Sequence, residues 1–191
     1  MHTIDVWMRR LARAFAYLGG AVLVALVLVT CASVLGRALA TMGHSPFVAE
    51  WLPFLAPALQ SFAPVTGDFE LVEAGVAFAI MASIPWCQLA RGHAKVDVLT
   101  AFLPGGANRT LMLLWEIVFA LAFTLIAWRL YEGLIAKQRY GETTFMLRFP
   151  VWWGYAACFA ASLVATLAAW WSAFLHGVEL LSGRSAVEPP A

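Results

Sequence analysis

Charge is absent from long stretches of this chain, and no other feature restricts its fold as tightly. Residues 14–36 contain no Asp, Glu, Lys or Arg, a run longer than the roughly 20 apolar residues with which a helix crosses about 30 Å of hydrocarbon. Residues 74–90 and 149–178 are two more uncharged runs. Between them, Leu111 to Tyr131 is interrupted only by Glu116 and Arg129, each close enough to an end to reach the headgroups by snorkelling. Backbone polar groups in hydrocarbon must be satisfied within the segment, so each run predicts a helix. The spans fall at about 14–36, 72–90, 111–131 and 151–174. The fold class is therefore an all-α integral membrane protein of four transmembrane helices in one domain over 1–178, with a flexible tail over 179–191.

Composition sets the same boundary from the other side. Hydrophobic residues make up 62% of the chain and charged residues 12%, against about 25% charged in a soluble domain. The formal net charge of +1 excludes a nucleic-acid partner, which needs a basic stripe to neutralise phosphates. Membrane lipid is the large apolar partner implied. Trp51, Trp86, Trp115, Trp128, Trp152 and Trp153 lie near predicted span ends, where an amphipathic ring sits at headgroup level. Cys31, Cys87 and Cys158 form no Cys-x-x-Cys and have no His beside them, so they read as small packed hydrophobes and not as a metal set. No cofactor is expected. His2, His44, His93 and His176 sit at the N-terminus, in loops or near a span end, which leaves no facing pair at membrane depth for a haem. No nucleophile elbow, zinc-protease motif or phosphate loop is present, so the chain does not read as an enzyme.

Around the spans the chain is more varied. Arg9, Arg10 and Arg13, with Ile4, Trp7, Met8, Leu11 and Phe15 at helical spacing, suit an amphipathic N-terminal helix on an anionic leaflet. These arginines precede the first span, and the loop after it carries Glu50, Asp68, Glu70 and Glu73, which places both termini in the cytoplasm. The first external loop is apolar over 46–64 but broken by Pro53 and Pro57, so it reads as short interfacial helix and not as a fifth crossing. Asp68 and Glu70 open the second span, where the helix dipole favours anions. After that span come His93, Lys95 and Asp97, and then Pro104-Gly105-Gly106, which reads as an interfacial helix and a break, with the third helix starting at Asn108 and running past the membrane to Tyr140. Glu116 is either an interfacial residue, the simpler reading, or a buried partner for a basic group on another helix. Arg129 and Glu132 make an i, i+3 pair.

Three stretches carry a resemblance: Glu70-Leu71-Val72-Glu73; Gly92-His93-Ala94-Lys95-Val96-Asp97-Val98-Leu99 with Leu103-Pro104; and Gly141-Glu142-Thr143-Thr144 with Phe149-Pro150-Val151-Trp152-Trp153-Gly154-Tyr155. In this order they resemble the small membrane subunit, DctQ-like, of tripartite ATP-independent periplasmic (TRAP) transporters, over roughly residues 14–171. The resemblance implies a scaffold in the bacterial inner membrane, bound to a large, DctM-like permease subunit that holds the substrate and sodium sites. A periplasmic, DctP-like binding protein would deliver the substrate, usually an organic acid. On that reading Glu50, Glu70, Glu73, Glu142 and Arg148 lie on the outer side and contribute to docking of the binding protein. His93, Lys95 and Asp97 would fix the inner turn against lipid or the large subunit, and Glu116 and Arg129 would serve polar contacts between helices or subunits. The alternatives are a stand-alone structural or assembly protein of the membrane and, more remotely, a redox membrane anchor.

Overall fold

The computed structural model describes residues 2–51, 54–90 and 105–182. Among them the helices are α1 (His2–Gly43), α2 (Pro46–Trp51), α3 (Ala56–Gln60), α4 (Asp68–Leu89), α5 (Gly105–Tyr140) and α6 (Trp152–Ser182). Four of these are long and apolar enough to cross a membrane: α1, α4, α5 from Thr110 and α6 to Val178. The all-α membrane fold is thus the observed one.

The α1–α4 pair follows a seven-residue repeat. Ala12, Gly19, Leu26 and Ser33 recur at that interval on α1, and Asp68, Gly75, Ala82 and Leu89 recur at it on α4. They meet in antiparallel order. Ser33 Oγ donates to Asp68 Oδ2 at 2.6 Å, and a Cβ on Gly75 would fall 2.8 Å from Leu26 Cδ1. A Cβ on Gly19 would fall 3.0 Å from the Ala79 carbonyl oxygen and 3.1 Å from Ala82 Cβ, while Ala12 and Leu89 share one buried cluster. A heptad keeps one seam facing one partner. Small residues along it let two backbones approach in lipid, where no hydrophobic force drives helices together.

α6 is the central helix. Its inward positions are small: Ala161, Ser162, Ala165, Ala168, Ala169, Ser172 and Ala173 are all buried. It packs antiparallel to α5, with Gly133 against the Tyr155 ring and Leu113 beside Gly177, and Ala120 and Phe123 close on Ala165 and Ala169. It runs parallel to α4, meeting it at Ala74 and Gly154 near one end and at Leu89 and Ala168 near the other. Of its most apolar window 56% is buried, against 11% for α1 and 17% each for α4 and α5. α1 and α5 therefore leave long apolar faces exposed, while α4 lies between α1 and α6.

Several sequence expectations shift in detail. The N-terminal amphipathic segment is continuous with the first span in a single helix of 42 residues, about 63 Å long at the helical rise. Gly105 and Gly106, expected to break the chain, are the first residues of α5, because a proline immediately ahead of a helix favours its start as much as it opposes a continuation. The last helix runs to Ser182, past the expected start of the tail. The proline-rich segment forms α2 and α3, and α3 with the residues after it folds back on the last turns of α1. Gln60 Nε2 donates to the Gly43 carbonyl at 2.8 Å, and a Cβ on Gly36 would lie 2.5 Å from the Ala63 carbonyl oxygen.

Candidate functional site

The bundle has two built ends. At the far end, opposite the N-terminus, α5 stops where Gly141 adopts a left-handed φ of 61°, a glycine C-terminal stop. The chain then forms a narrow hairpin. Thr143 bridges to Pro150, the Thr144 N–H donates to the Phe149 carbonyl at 2.9 Å, and the Val151 N–H donates to the Glu142 carbonyl at 3.0 Å. Its tip, Phe145 to Arg148, is held from α4: Glu70 Oε1 accepts from the Met146 N–H at 2.6 Å and Oε2 from the Leu147 N–H at 2.9 Å. Leu147 in turn lies over Gly67, the residue ahead of α4. Gly67 has a φ of 78°, and a Cβ there would come 2.5 Å from Leu147 Cγ, so both backbone and space demand glycine. Arg148 also has a positive φ, 54°, and Phe145 is 90% exposed at the tip.

The expected docking residues all occur at this end, in different settings. Glu70 is occupied by the hairpin backbone, and Glu142 pairs with Lys137 at 2.5 Å. Glu50 is exposed on α2, and Arg148 is exposed on the hairpin. Glu73, one turn below Glu70, lines a cleft of about 490 Å³ between α4, α5 and α6 beneath the hairpin. Asp68, at the start of α4, accepts from Ser33 and from the Phe69 N–H at 2.9 Å, and so closes the α1–α4 seam.

At the N-terminal end, polar side chains tie the helices together. Gln88 Nε2 on α4 donates to Glu116 Oε2 on α5 at 2.5 Å. His176 Nδ1 on α6 lies 3.8 Å from Glu116 Oε1 and 3.0 Å from the Ser172 carbonyl. Gln88 is 1% exposed and His176 8%. Glu116 thus faces two other helices and not the headgroup layer alone. Nearby, Asp5 accepts from Arg9 at 2.8 Å and from the Trp171 indole at 3.2 Å, and the Arg13 guanidinium stands 5.0 Å from the centre of the Trp86 ring. Arg129 makes the expected pair with Glu132 at 2.9 Å on the exposed surface of α5. His93, Lys95 and Asp97 lie outside the described residues. Among the described residues no group of three or more His, Cys, Asp or Glu side chains is placed to hold a metal ion.

A family model for tripartite ATP-independent periplasmic transporters, DctQ component, matches residues 26–179. The chain belongs to the DctQ family. It is thus a component of a transporter family, and one with four apolar helices. Neither a curated protein nor a solved structure matches it. The matched region of this DctQ chain takes in the hairpin, Ser33 with Asp68, and the whole Gln88–Glu116–His176 cluster; the Asp5–Trp171 contact lies partly outside it. Sequence reasoning missed Gln88 and His176 as partners of Glu116. The one signal was that Gln88 is the most polar residue of an otherwise apolar run, just as Glu116 is in the next.

Proposed function

We propose that this chain is the small permease subunit of a sodium-driven, binding-protein-dependent TRAP transporter for organic acids, set in the bacterial inner membrane with both termini cytoplasmic. It scaffolds the DctM-like subunit and contributes to the surface on which the DctP-like binding protein docks. The observation that carries the scaffold role is the outward turn of the apolar surface. Leu114, Val118, Leu121, Leu125 and Trp128 make an exposed stripe on α5, and Val24, Val27, Leu28, Val34 and Leu35 an exposed surface on α1. Faces of this length suit lipid on one side and a large membrane partner on another. The polar side chains of the spans are engaged either with their own helix, as at Thr30, Ser83 and Thr166, or with a neighbouring one, as at Ser33 and Gln88, which suits holding better than translocating. The hairpin and the α1–α3 corner belong to the periplasmic side on this reading, and the Glu116 cluster to the cytoplasmic side.

The deciding experiment is a detergent pull-down of the chain, tagged at its C-terminus and expressed with its genomic neighbours, followed by mass spectrometry. Recovery of a large multi-span permease in equal amount is the expected outcome. Recovery of the chain alone, stable and monodisperse, would leave the stand-alone assembly protein as the reading.

A further inference from the structure

The cleft beneath the hairpin has the make-up of a binding site. Its volume of about 490 Å³ falls within the roughly 300–1,000 Å³ of small-molecule pockets. Glu73, Phe149 and Tyr155 line its rim, and Ala77 and Cys158, each about one turn further along α4 and α6, make a small apolar floor. No Lys, Arg or His lines it. The second lining carboxylate, Glu70, is occupied by the two amides of the hairpin tip. Glu73 has no hydrogen bond or ion pair among the described residues. A carboxylate that shares a cleft with aromatic side chains attracts a cation through its charge, and ring faces turned to that cation add to the attraction. The floor continues about 6 Å down the helices from Glu73 to Ala77, and all three walls belong to helices apolar enough to span a membrane. An occupant must therefore offer an ammonium group at the rim and an apolar portion below it.

We propose that this cleft holds an amine-headed phospholipid from the adjoining leaflet, its ammonium at Glu73 beside Phe149 and Tyr155 and an acyl chain over Ala77 and Cys158. A water-soluble protein reaches the rim but not the floor. A lipid supplies both chemistries and surrounds the cleft wherever the bundle sits in a bilayer. On this reading Glu73, one of the expected docking residues, faces lipid, and the exposed Glu50 and Arg148 remain for the binding protein.

The test uses the full-length chain reconstituted in nanodiscs of equimolar phosphatidylethanolamine and phosphatidylglycerol, followed by native mass spectrometry of the lipids that stay bound. The wild-type chain retains the ethanolamine lipid preferentially. Glu73→Gln lowers that preference about fivefold, the size expected of a partly exposed ion pair reinforced by aromatic faces, at an unchanged Tm. Ala77→Phe fills the floor and lowers retention of both lipids, while leaving the remaining preference for the amine intact. Equal retention of the two lipids by the wild-type chain, or an unchanged preference in Glu73→Gln, would overturn the proposal. So would a carbodiimide cross-link from Glu73 to a lysine of a co-purified large subunit with the lipid lost, which would assign the cleft to a protein side chain.

Discussion

Both carboxylate oxygens of Glu70 are taken by backbone N–H groups of the hairpin, so its charge serves the shape of the far end before it serves any partner. Glu70→Ala should leave the Met146 and Leu147 amides without their acceptor and so loosen the hairpin tip. Hydrogen exchange should quicken at those two amides while the helices stay protected. An unchanged exchange rate would mean that the tip holds itself. The Glu116 cluster makes a second prediction, on coupling. Glu116→Leu removes the acceptor of a buried amide and should destabilise the bundle by about 1–3 kcal/mol, whereas Gln88→Leu with Glu116→Leu should cost less than the two single changes together. Thermal denaturation in detergent reads both, and strict additivity would show that the two side chains do not act on each other. The Glu70 arrangement was not legible beforehand, and for Glu116 only the option of a contact between helices was, without its partners. Gln88, Glu116 and His176 lie far apart in sequence, and each sits near the end of an apolar run, where a polar residue needs no partner to be explained. Glu70 reads as a helix-start acid whatever else it binds.

At the scale of elements the four spans were legible because nothing but a membrane explains charge-free runs of such length, but their neighbours were not, since α4 packs mainly on α1 and α6 and not on α5, the next span in order. Two boundaries and one packing seam were not legible either. Pro104-Gly105-Gly106 carries the same letters whether a helix stops or starts, and only the chain beyond decides. The N-terminal segment has amphipathic spacing, but its partners are the far-off Trp86 and Trp171, which draw it into line with α1. The seven-residue seam between α1 and α4 was hidden because Ala, Gly and Ser look unremarkable in any apolar run until a facing helix supplies their counterparts. The seam makes its own prediction. Gly19→Leu should force α1 and α4 apart and cost about 1–3 kcal/mol or more through overpacking, while Gly20→Leu, whose Cβ would meet nothing within 4 Å, should leave Tm close to that of the parent chain. Equal effects at the two positions would mean that the pair does not pack as described.

For the molecule as a whole the predictions concern partners. On the proposed reading, reversing the charge of Glu50 and Arg148, which are exposed and have no partner recorded among the described residues, should weaken binding-protein-dependent uptake several-fold in a complex that still assembles. Unchanged uptake would remove both from the docking surface. Alanine at His93, Lys95 and Asp97 together should lower the amount of assembled complex, and normal assembly with normal uptake would remove that turn from the subunit contact. The α1–α4 pair has one further property at this scale. From Ala12 to Ser33 the seam rises about 31 Å, close to the thickness of the hydrocarbon itself. Two helices matched at every seventh residue can slip only by a whole repeat, about 10 Å, and such a slip would carry Asp68 away from Ser33 and towards the bilayer centre, where a charge costs about 2.5–3.5 kcal/mol or more. A thicker or thinner bilayer therefore meets a ruler of fixed length, and the pair answers by leaning as one body and not by changing its reach.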